Sequence, residues 1–177
     1  TFMNHWAGSV IRRFTVICWI SNKGQTMTNE HQSAVLAFPP AKPATMAAAM
    51  YDKLCYHTDA WDVAQDLANG IAGIVVIDTR SFEHYCAGHI PGAISLPHKE
   101  MTPERLAGLD NTLVYITYCD GIGCNGSTKG AWKLASAGLQ VKELLGGLDF
   151  WRRDQHLIET GEQQGSLINA EPVACGC

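Results

Sequence analysis

The chain has 177 residues, of which 46% are apolar and 17% are charged, and its formal net charge is −4. This length fits one domain with extensions, and this composition is typical of a soluble globular protein. The negative charge argues against a nucleic-acid partner, and the absence of a long uninterrupted apolar run argues against a transmembrane helix.

The cysteine count is odd, at seven, and the spacing does not suggest the disulfide framework of a secreted protein. A reducing cytoplasm is therefore the expected location. Arg12 and Arg13 precede an apolar run, FTVICWI, that faintly resembles a twin-arginine export signal. The run is short, polar residues end it from Ser21, and no A-x-A site follows at once, so the sequence favours a protein that is not exported.

Three regions are expected along the chain. Residues 1–44 form an N-terminal extension with a proline-rich linker, FPPAKPAT, at its end. Residues 45–160 form the folded domain. Residues 161–177 form a polar tail that ends in Cys175-Gly176-Cys177, and its composition predicts disorder.

Short helices and apolar strands alternate within the domain. The first helix begins at Thr45 and carries Met46 and Met50, which we interpret as core residues. Thr58 or Asp59 is the predicted cap of the second helix. Further strands are predicted at 74–77, 93–96, 113–118 and 141–145, with helices at 82–87 and 103–109, after Asn125, and around Phe150 and Trp151. Apolar strands alternating with helices predict an α/β fold, with a central parallel sheet and helices on both faces.

The strand at 113–118 ends abruptly on Cys119, and a glycine-rich loop follows. Glycine permits positive φ, so loop N–H groups can turn inward, and Asn125 or Ser127 can cap the next helix. These amides and the positive end of the helix dipole stabilise an anion and lower a thiol pKa from about 8.5. We therefore predict that Cys119 is a nucleophile rather than an inert core cysteine. The predicted loop comprises Asp120, Gly121, Ile122, Gly123, Asn125, Gly126 and Ser127.

Other chemistry-bearing residues are expected on the same rim, because the carboxyl ends of parallel strands share one sheet edge. Asp78 and Arg80 follow the strand at 74–77, and we interpret them as an internal ion pair that fixes loops. His89 lies in a tight turn, where a backbone-bonding role is favoured over that of a base. The paired glycines at 146–147 let another loop come close and wall the pocket.

Four segments in this order resemble a rhodanese domain over residues 58–155: DTR at 78–80, GHIPGA at 88–93, the cysteine loop, and GGLDFW at 146–151. The resemblance implies a single-domain sulfurtransferase in which Cys119 accepts a sulfane sulfur as a persulfide, held by a ring of loop amides. A small-molecule or protein persulfide would be the donor, and a thiol or cyanide the acceptor. Asp78, Arg80 and His89 would support the site, no metal or organic cofactor is implied, and the expected state is a monomer or homodimer.

Two departures from the usual family pattern affect these expectations. The loop is long and has no cation before Lys129, while Asp120 follows the nucleophile, so thiosulfate is expected to be a poor donor unless Lys99, Lys129 or Lys133 compensates. The second departure is Cys124, which could attack an oxidised or persulfidated Cys119 and close a disulfide, or could merely fill the loop base.

Other functions compete with sulfur transfer. Cys119 and Cys124 could form a thiol-disulfide oxidoreductase or redox sensor, with Cys175 and Cys177 as a resolving pair. A metal-binding module joining the loop to the terminal cysteines lacks the usual paired spacing. A phosphatase is disfavoured because no arginine ends the loop. A non-catalytic docking domain is disfavoured because such domains normally lose the cysteine.

Overall fold

The structure is a computed structural model that describes residues 33–170. The predicted extension up to residue 32 and the terminal CGC therefore lie outside the described residues. The chain divides into a first unit that ends at Pro40 and a second that begins at Ala41. The described part of the first unit contains one 3-10 turn, Val35–Ala37. Within residues 33–170, no helix has the length and apolar character needed to cross a membrane.

The second unit is built on a parallel sheet. In the described residues its strands lie in the order β1-β5-β4-β2-β3, and every pairing is parallel. The predicted α/β class with a central parallel sheet is confirmed. The strands are β1 (His57–Thr58), β2 (Ile74–Asp78), β3 (Ile94–Ser95), β4 (Val114–Tyr118) and β5 (Gln140–Leu144).

Helices connect these strands and begin where the sequence provides a cap or a proline. Asp59 is the N-cap of α2, because its side chain accepts a hydrogen bond from Asp62 N at 2.9 Å. Pro43 starts α1 before the predicted Thr45, since proline suits the first helical position. The helices are α1 (Pro43–Tyr56), α2 (Ala60–Ala68), α3 (Phe82–Ala87), α4 (Pro103–Leu106), α5 (Gly126–Ser136) and α6 (Gly147–Arg153).

Two hydrophobic clusters lie on opposite faces of the sheet. One joins α2 and α6 to the sheet around Trp151, and the other joins α4 and α5 to it around Leu134. Successive side chains of a strand point to opposite faces, so Tyr115 packs in the second cluster while Ile116 packs in the first. Because β4 is buried on both faces, it fixes the position of the residue that follows it.

The interpretation of Met46 and Met50 as core residues is wrong. Both side chains lie in α1, which has no buried residue, and they are 44% and 47% exposed. The helices of the two clusters already cover the sheet, so α1 lies at the edge beside β1 and β5, where Lys142 Nζ donates to Leu54 O at 3.1 Å. Helical spacing of apolar residues does not distinguish a core face from such an edge.

The predicted disorder of the tail is wrong for residues 161–170. Leu167 is buried in the first cluster, and Gly92 N donates to Gln164 O at 2.6 Å. The segment is polar, but backbone hydrogen bonds to the turn around His89 hold it to the domain. Composition predicted disorder because it counts apolar residues and does not include these bonds.

Candidate active site

The cysteine loop joins β4 to α5 at the carboxyl edge of the sheet. Cys119 follows the last residue of β4, and α5 begins at Gly126. Cys119 and Cys124 are joined by a disulfide, with their Cα atoms 6.2 Å apart. The sequence left the role of Cys124 open. In the structure its sulfur is bonded to the sulfur of Cys119, the predicted nucleophile.

The two cysteines differ in their exposure to solvent. Cys119 is 4% exposed, whereas Cys124 is partly exposed and lines an open cleft of about 510 Å³. Cys119 is not among the cleft residues. The cleft is lined by Asp120, Gly121, Ile122, Gly123, Cys124, Asp149, Phe150 and Arg153.

The predicted ring of amides around the Cys119 sulfur is not formed in this disulfide state. Among the described residues, one backbone N–H donates to a sulfur: Gly126 N lies 3.4 Å from Cys124 Sγ. The Cys119 sulfur is instead bonded to Cys124, and the Cys124 N–H is used in a turn with Gly121 O at 3.0 Å. An amide ring around Cys119 stays a prediction for the reduced protein.

The start of α5 differs from its predicted capping. Asn125 occupies the N-cap position, but its side chain makes no capping hydrogen bond. Ser127 lies inside the helix and donates to Glu143 Oε1 at 2.7 Å, which ties the helix to β5. Gly126 is required by space, because a Cβ there would lie 2.9 Å from Cys119 Sγ and 3.4 Å from Cys124 Sγ.

The paired glycines at the start of α6 let the cysteine loop come close, as predicted. Gly147 has a φ of +55°, and a Cβ at this position would collide with the carbonyl oxygen of Cys119. The backbones come close enough for Leu148 N to donate to Cys119 O at 2.9 Å and for Asp149 N to donate to Asp120 O at 2.7 Å. The start of α6 therefore forms one wall of the site.

Asp78 and Arg80 form the predicted ion pair beneath the loop. Arg80 Nη2 lies 2.6 Å from Asp78 Oδ2, and both side chains are buried. Arg80 also donates to Gly88 O at 2.6 Å and, through Nη1, to Asp120 Oδ1 at 3.0 Å. Burial alone would lower the pKa of Arg80, but the hydrogen bonds and charges of Asp78 and Asp120 raise it. Arg80 therefore stays charged and ties the rim to the loop.

Tyr118 extends this buried network below the nucleophile. Its hydroxyl donates to Asp78 Oδ2 at 2.7 Å and accepts from Ile90 N at 3.2 Å. Burial raises the pKa of Tyr118 well above its usual value, and the charge of Asp78 raises it further. The hydroxyl is therefore a neutral donor, and its two hydrogen bonds join β4 to the turn that follows α3.

His89 has the backbone-bonding role that the sequence favoured. The ring is fully buried, with Nδ1 2.9 Å from Tyr85 O and Nε2 3.0 Å from Gln163 O. It stacks on the Tyr85 ring with centroids 3.6 Å apart. Both ring nitrogens are occupied by carbonyl oxygens, so His89 holds the turn and the segment after Gly161 together.

Two arginine side chains from other parts of the chain lie near the loop. The loop itself lacks one before Lys129, as the sequence shows, but Arg80 pairs with Asp120 from the rim. Arg153 lines the cleft from α6 and pairs with Asp149 at 2.9 Å. Sequence reasoning missed Arg153, although its position four residues after Asp149 on a helix that follows the paired glycines was a usable signal.

Sequence reasoning also missed His98, which lies on the other side of the sulfurs. A Cβ built on Gly126 would lie 3.4 Å from His98 Cδ2, and the same Cβ would contact both sulfurs. Burial lowers the pKa of His98, and the charges of Lys129, Lys133 and Lys99 lower it further. The three lysines that the sequence offered as compensating cations therefore all act electrostatically on a residue beside the disulfide.

A metal centre has limited support in the described residues. The ligand atoms of Cys119, Asp120 and Cys124 lie within 4.8 Å of one another, but the two sulfurs are bonded together and are not thiolate ligands in this state. The terminal cysteines that a metal module would add lie outside the described residues.

The sequence and the fold together identify the family. Residues 62–154 match the family model described as a Rhodanese-like domain, which is more than half of the chain. The chain belongs to the rhodanese-like domain family. The resemblance inferred from the four segments is confirmed.

Particular proteins resemble this chain over most of its described length. The crystal structure of the BH2092 protein from Bacillus halodurans has a TM-score of 0.66 and 38% identity, covering 72% of this chain and 93% of that one. A crystal structure of a protein from Lactobacillus plantarum has a TM-score of 0.58 and 27% identity, covering 67% of this chain and 99% of that one.

A curated relative is larger than the matched region. The HTH-type transcriptional regulator Rv0324 of Mycobacterium tuberculosis is 37% identical over 123 residues, which is 69% of this chain and 54% of that protein. The chain spans about half the length of this curated relative.

Proposed function

We propose that this protein is a sulfurtransferase that carries a sulfane sulfur as a persulfide on Cys119 and passes it to a thiol or cyanide acceptor. The observation that carries the proposal is the position of Cys119, between the end of a buried strand and the first residue of α5. The N-terminus of an eleven-residue helix favours negative charge, which both a thiolate and a persulfide carry. Membership of the rhodanese-like family supports the same chemistry.

The first half-reaction requires reduced Cys119. Its thiolate attacks the outer sulfur of a persulfide donor, a Cys119 S–S bond forms, and the donor's S–S bond breaks to release the donor thiolate. In the second half-reaction, an acceptor thiolate or cyanide attacks the outer sulfur and Cys119 leaves as the thiolate. The electron pairs balance in each step, and no metal or organic cofactor is needed.

Cys124 gives the carried sulfur a second route. A Cys124 thiolate can attack the inner sulfur of the Cys119 persulfide, which forms the observed disulfide and releases hydrosulfide. The bond in the structure places the two sulfurs within reach of each other. We infer that reduction must follow before another transfer.

The charge of the cleft favours some donors over others. Asp120 and Asp149 both line the cleft. Asp120 is paired with Arg80 and Asp149 with Arg153, but Arg80 is also paired with Asp78. These side chains leave an excess of negative charge, which opposes a dianion. We therefore expect thiosulfate to be a poorer donor than a persulfide with a single negative sulfur, and the three lysines near His98 are the groups that could offset this.

The experiment that tests the proposal compares single-cysteine variants with a donor panel and cyanide as acceptor. Cys119→Ser should abolish thiocyanate formation from every donor. Cys124→Ser should retain the first half-reaction and change the dependence on reductant. Cys86→Ser is the matched control, because Cys86 is a free and partly buried cysteine of α3 that lies outside the loop, and it should retain wild-type activity. Full activity of Cys119→Ser would refute the proposal.

A second candidate function is a thiol-disulfide oxidoreductase or redox sensor, and the Cys119–Cys124 bond favours it. A sensor module would suit a chain that resembles a protein named as a transcriptional regulator, although the net charge of −4 gives this chain itself no nucleic-acid footprint. Intact mass after treatment of reduced protein with peroxide, and in a separate sample with a persulfide donor, distinguishes the functions. Loss of two hydrogens with no capacity for added sulfur favours the sensor, whereas added sulfur that cyanide removes favours transfer.

The remaining expectations are part of the same proposal. The odd number of cysteines favours a reducing compartment, the cytoplasm. The catalytic unit is expected to span residues 45–160, which contains the whole family match, and to act as a monomer or homodimer.

A further inference from the structure

We propose that Cys124 is the sulfur that an external thiol attacks to open the disulfide, with Cys119 released as the thiolate. The inference rests on the proposed function, because it describes how the sulfur-carrying thiol returns to its reduced state. Cys124 then has a role besides closing the disulfide, because its sulfur is the one that the reductant attacks.

Access distinguishes the two sulfurs. Thiol-disulfide exchange requires the incoming thiolate to approach one sulfur directly along the S–S axis. Cys119 is 4% exposed and is not among the residues that line the cleft. Cys124 is partly exposed and lines the cleft. A thiol in the cleft therefore meets Cys124 first.

The step balances without a further reactant. A reductant thiolate forms a mixed disulfide with Cys124, the Cys119–Cys124 bond breaks, and its electron pair leaves on Cys119. The departing sulfur lies beside Gly126 at the start of α5. A helix N-terminus stabilises a leaving thiolate and so speeds this direction of exchange.

One contact favours the opposite direction. Gly126 N donates to Cys124 Sγ at 3.4 Å, which would stabilise Cys124 as the leaving group if Cys119 were attacked. A single hydrogen bond to sulfur changes a rate by roughly tenfold or less. Direct attack on Cys119 would first require the loop to uncover a buried sulfur, so access outweighs this contact.

The cleft has room for a small-molecule reductant. A volume of about 510 Å³ falls within the range of small-molecule sites, roughly 300–1,000 Å³. Ile122 and Phe150 provide apolar contacts, and the ion-paired side chains of Asp149 and Arg153 provide polar ones. These features fit a monothiol of tripeptide size or smaller.

Glutathione is a suitable probe for the test. Oxidised full-length protein is mixed with limiting glutathione, quenched rapidly in acid, and alkylated under denaturing conditions with N-ethylmaleimide. Proteolytic cleavage before Asp120 separates the two cysteines, so mass spectrometry can assign each adduct. We expect glutathione on Cys124 and N-ethylmaleimide on Cys119, in about tenfold or greater excess over the reverse pattern.

Glutathione mainly on Cys119, equal amounts on both cysteines, or no opening of the bond would each overturn the inference. A parallel sample of fully reduced Cys124→Ser protein, in which the disulfide cannot close, is treated with a persulfide donor and reports on the proposed function separately. Persulfide on Cys119 together with glutathione on Cys119 would refute only the entry through Cys124. Absence of any persulfide would refute the proposed function instead.

Discussion

The two halves of the cysteine loop are held very differently. The first half is fixed: Cys119 and Asp120 accept backbone hydrogen bonds from the start of α6, and Arg80 pairs with Asp120. The second half is open: Ile122 is 78% exposed, and a Cβ on Gly123 would meet nothing within 4 Å. The comparison indicates that the framework fixes the buried sulfur while leaving its partner room to bond or separate.

This difference suits the proposed sulfur transfer, because a sulfur carrier would need one thiol in a constant place. Cys119 follows a strand buried on both faces. Under the proposed function, Cys124 would lie against Cys119 in the disulfide and move away for a donor to enter. The following predictions test whether the two halves really differ, and they run from the largest expected effect to the smallest.

Arg80→Met should cost about 3–5 kcal/mol of unfolding free energy, because it leaves the buried Asp78 carboxylate without its partner. The measurement is urea denaturation at neutral pH. Arg153→Met is the matched control: its ion pair with Asp149 lies on the surface, with the arginine side chain 67% exposed against 5% for Arg80, and should be worth under about 1 kcal/mol. Equal losses in the two variants would show that the buried network does not anchor the loop.

Gly147→Ala should cost about 2–3 kcal/mol, because alanine disfavours a φ of +55° and its Cβ would push on the Cys119 carbonyl. Gly123→Ala, in the open half of the loop, should change stability by about 0.5 kcal/mol or less. Thermal unfolding of both variants measures the comparison, and persulfide formation should fall only in Gly147→Ala. A neutral Gly147→Ala would contradict the close packing of α6 on the loop.

His156 should make a smaller, pH-dependent contribution to stability. Burial lowers the pKa of His156, and its Nε2 has no hydrogen-bond partner among the described residues. The unfolded chain, with an ordinary histidine pKa of about 6.5, therefore binds the proton first as pH falls. Stability relative to a His156→Gln variant should decrease as pH falls below about 6.5. A difference between the proteins that stays constant from pH 7.5 to 5.5, or grows as pH falls, would contradict this origin.

The sequence predicted the central strands and the β3 edge, but it missed the other edge at β1. The apolar runs IVVI and LVYITY predict β2 and β4, because a strand that is buried on both faces is apolar along most of its length. The strand β1, His57–Thr58, was missed, and Thr58 was instead considered as a helix cap. His57 and Thr58 are two polar residues, too few to show the apolar pattern of a strand. Their extended conformation comes from pairing with β5. The position of α1 at the same edge was missed for a related reason.

The site was predictable where its residues are close in sequence or belong to a family motif. The Asp78–Arg80 pair, the backbone role of His89 and the close approach at Gly147 are all in the structure. Arg153 and His98 were missed because only the tertiary fold brings α6 and the segment after β3 to the loop. The amide ring around Cys119 could not be tested by sequence, since the direction of each N–H is set by the backbone conformation of the loop.

The central claim is that Cys119 carries the transferred sulfur. Reduced wild-type protein and Cys124→Ser, in which the disulfide cannot close and release the carried sulfur, should each be treated with a persulfide donor, cleaved before Asp120 and analysed by peptide mass spectrometry. The account predicts one added sulfur atom on the Cys119 peptide of Cys124→Ser, removed by cyanide as thiocyanate, and none on the Cys124 peptide of the wild type. Added sulfur on Cys124 alone in the wild type, or no added sulfur on Cys119 of Cys124→Ser with every donor, would contradict it.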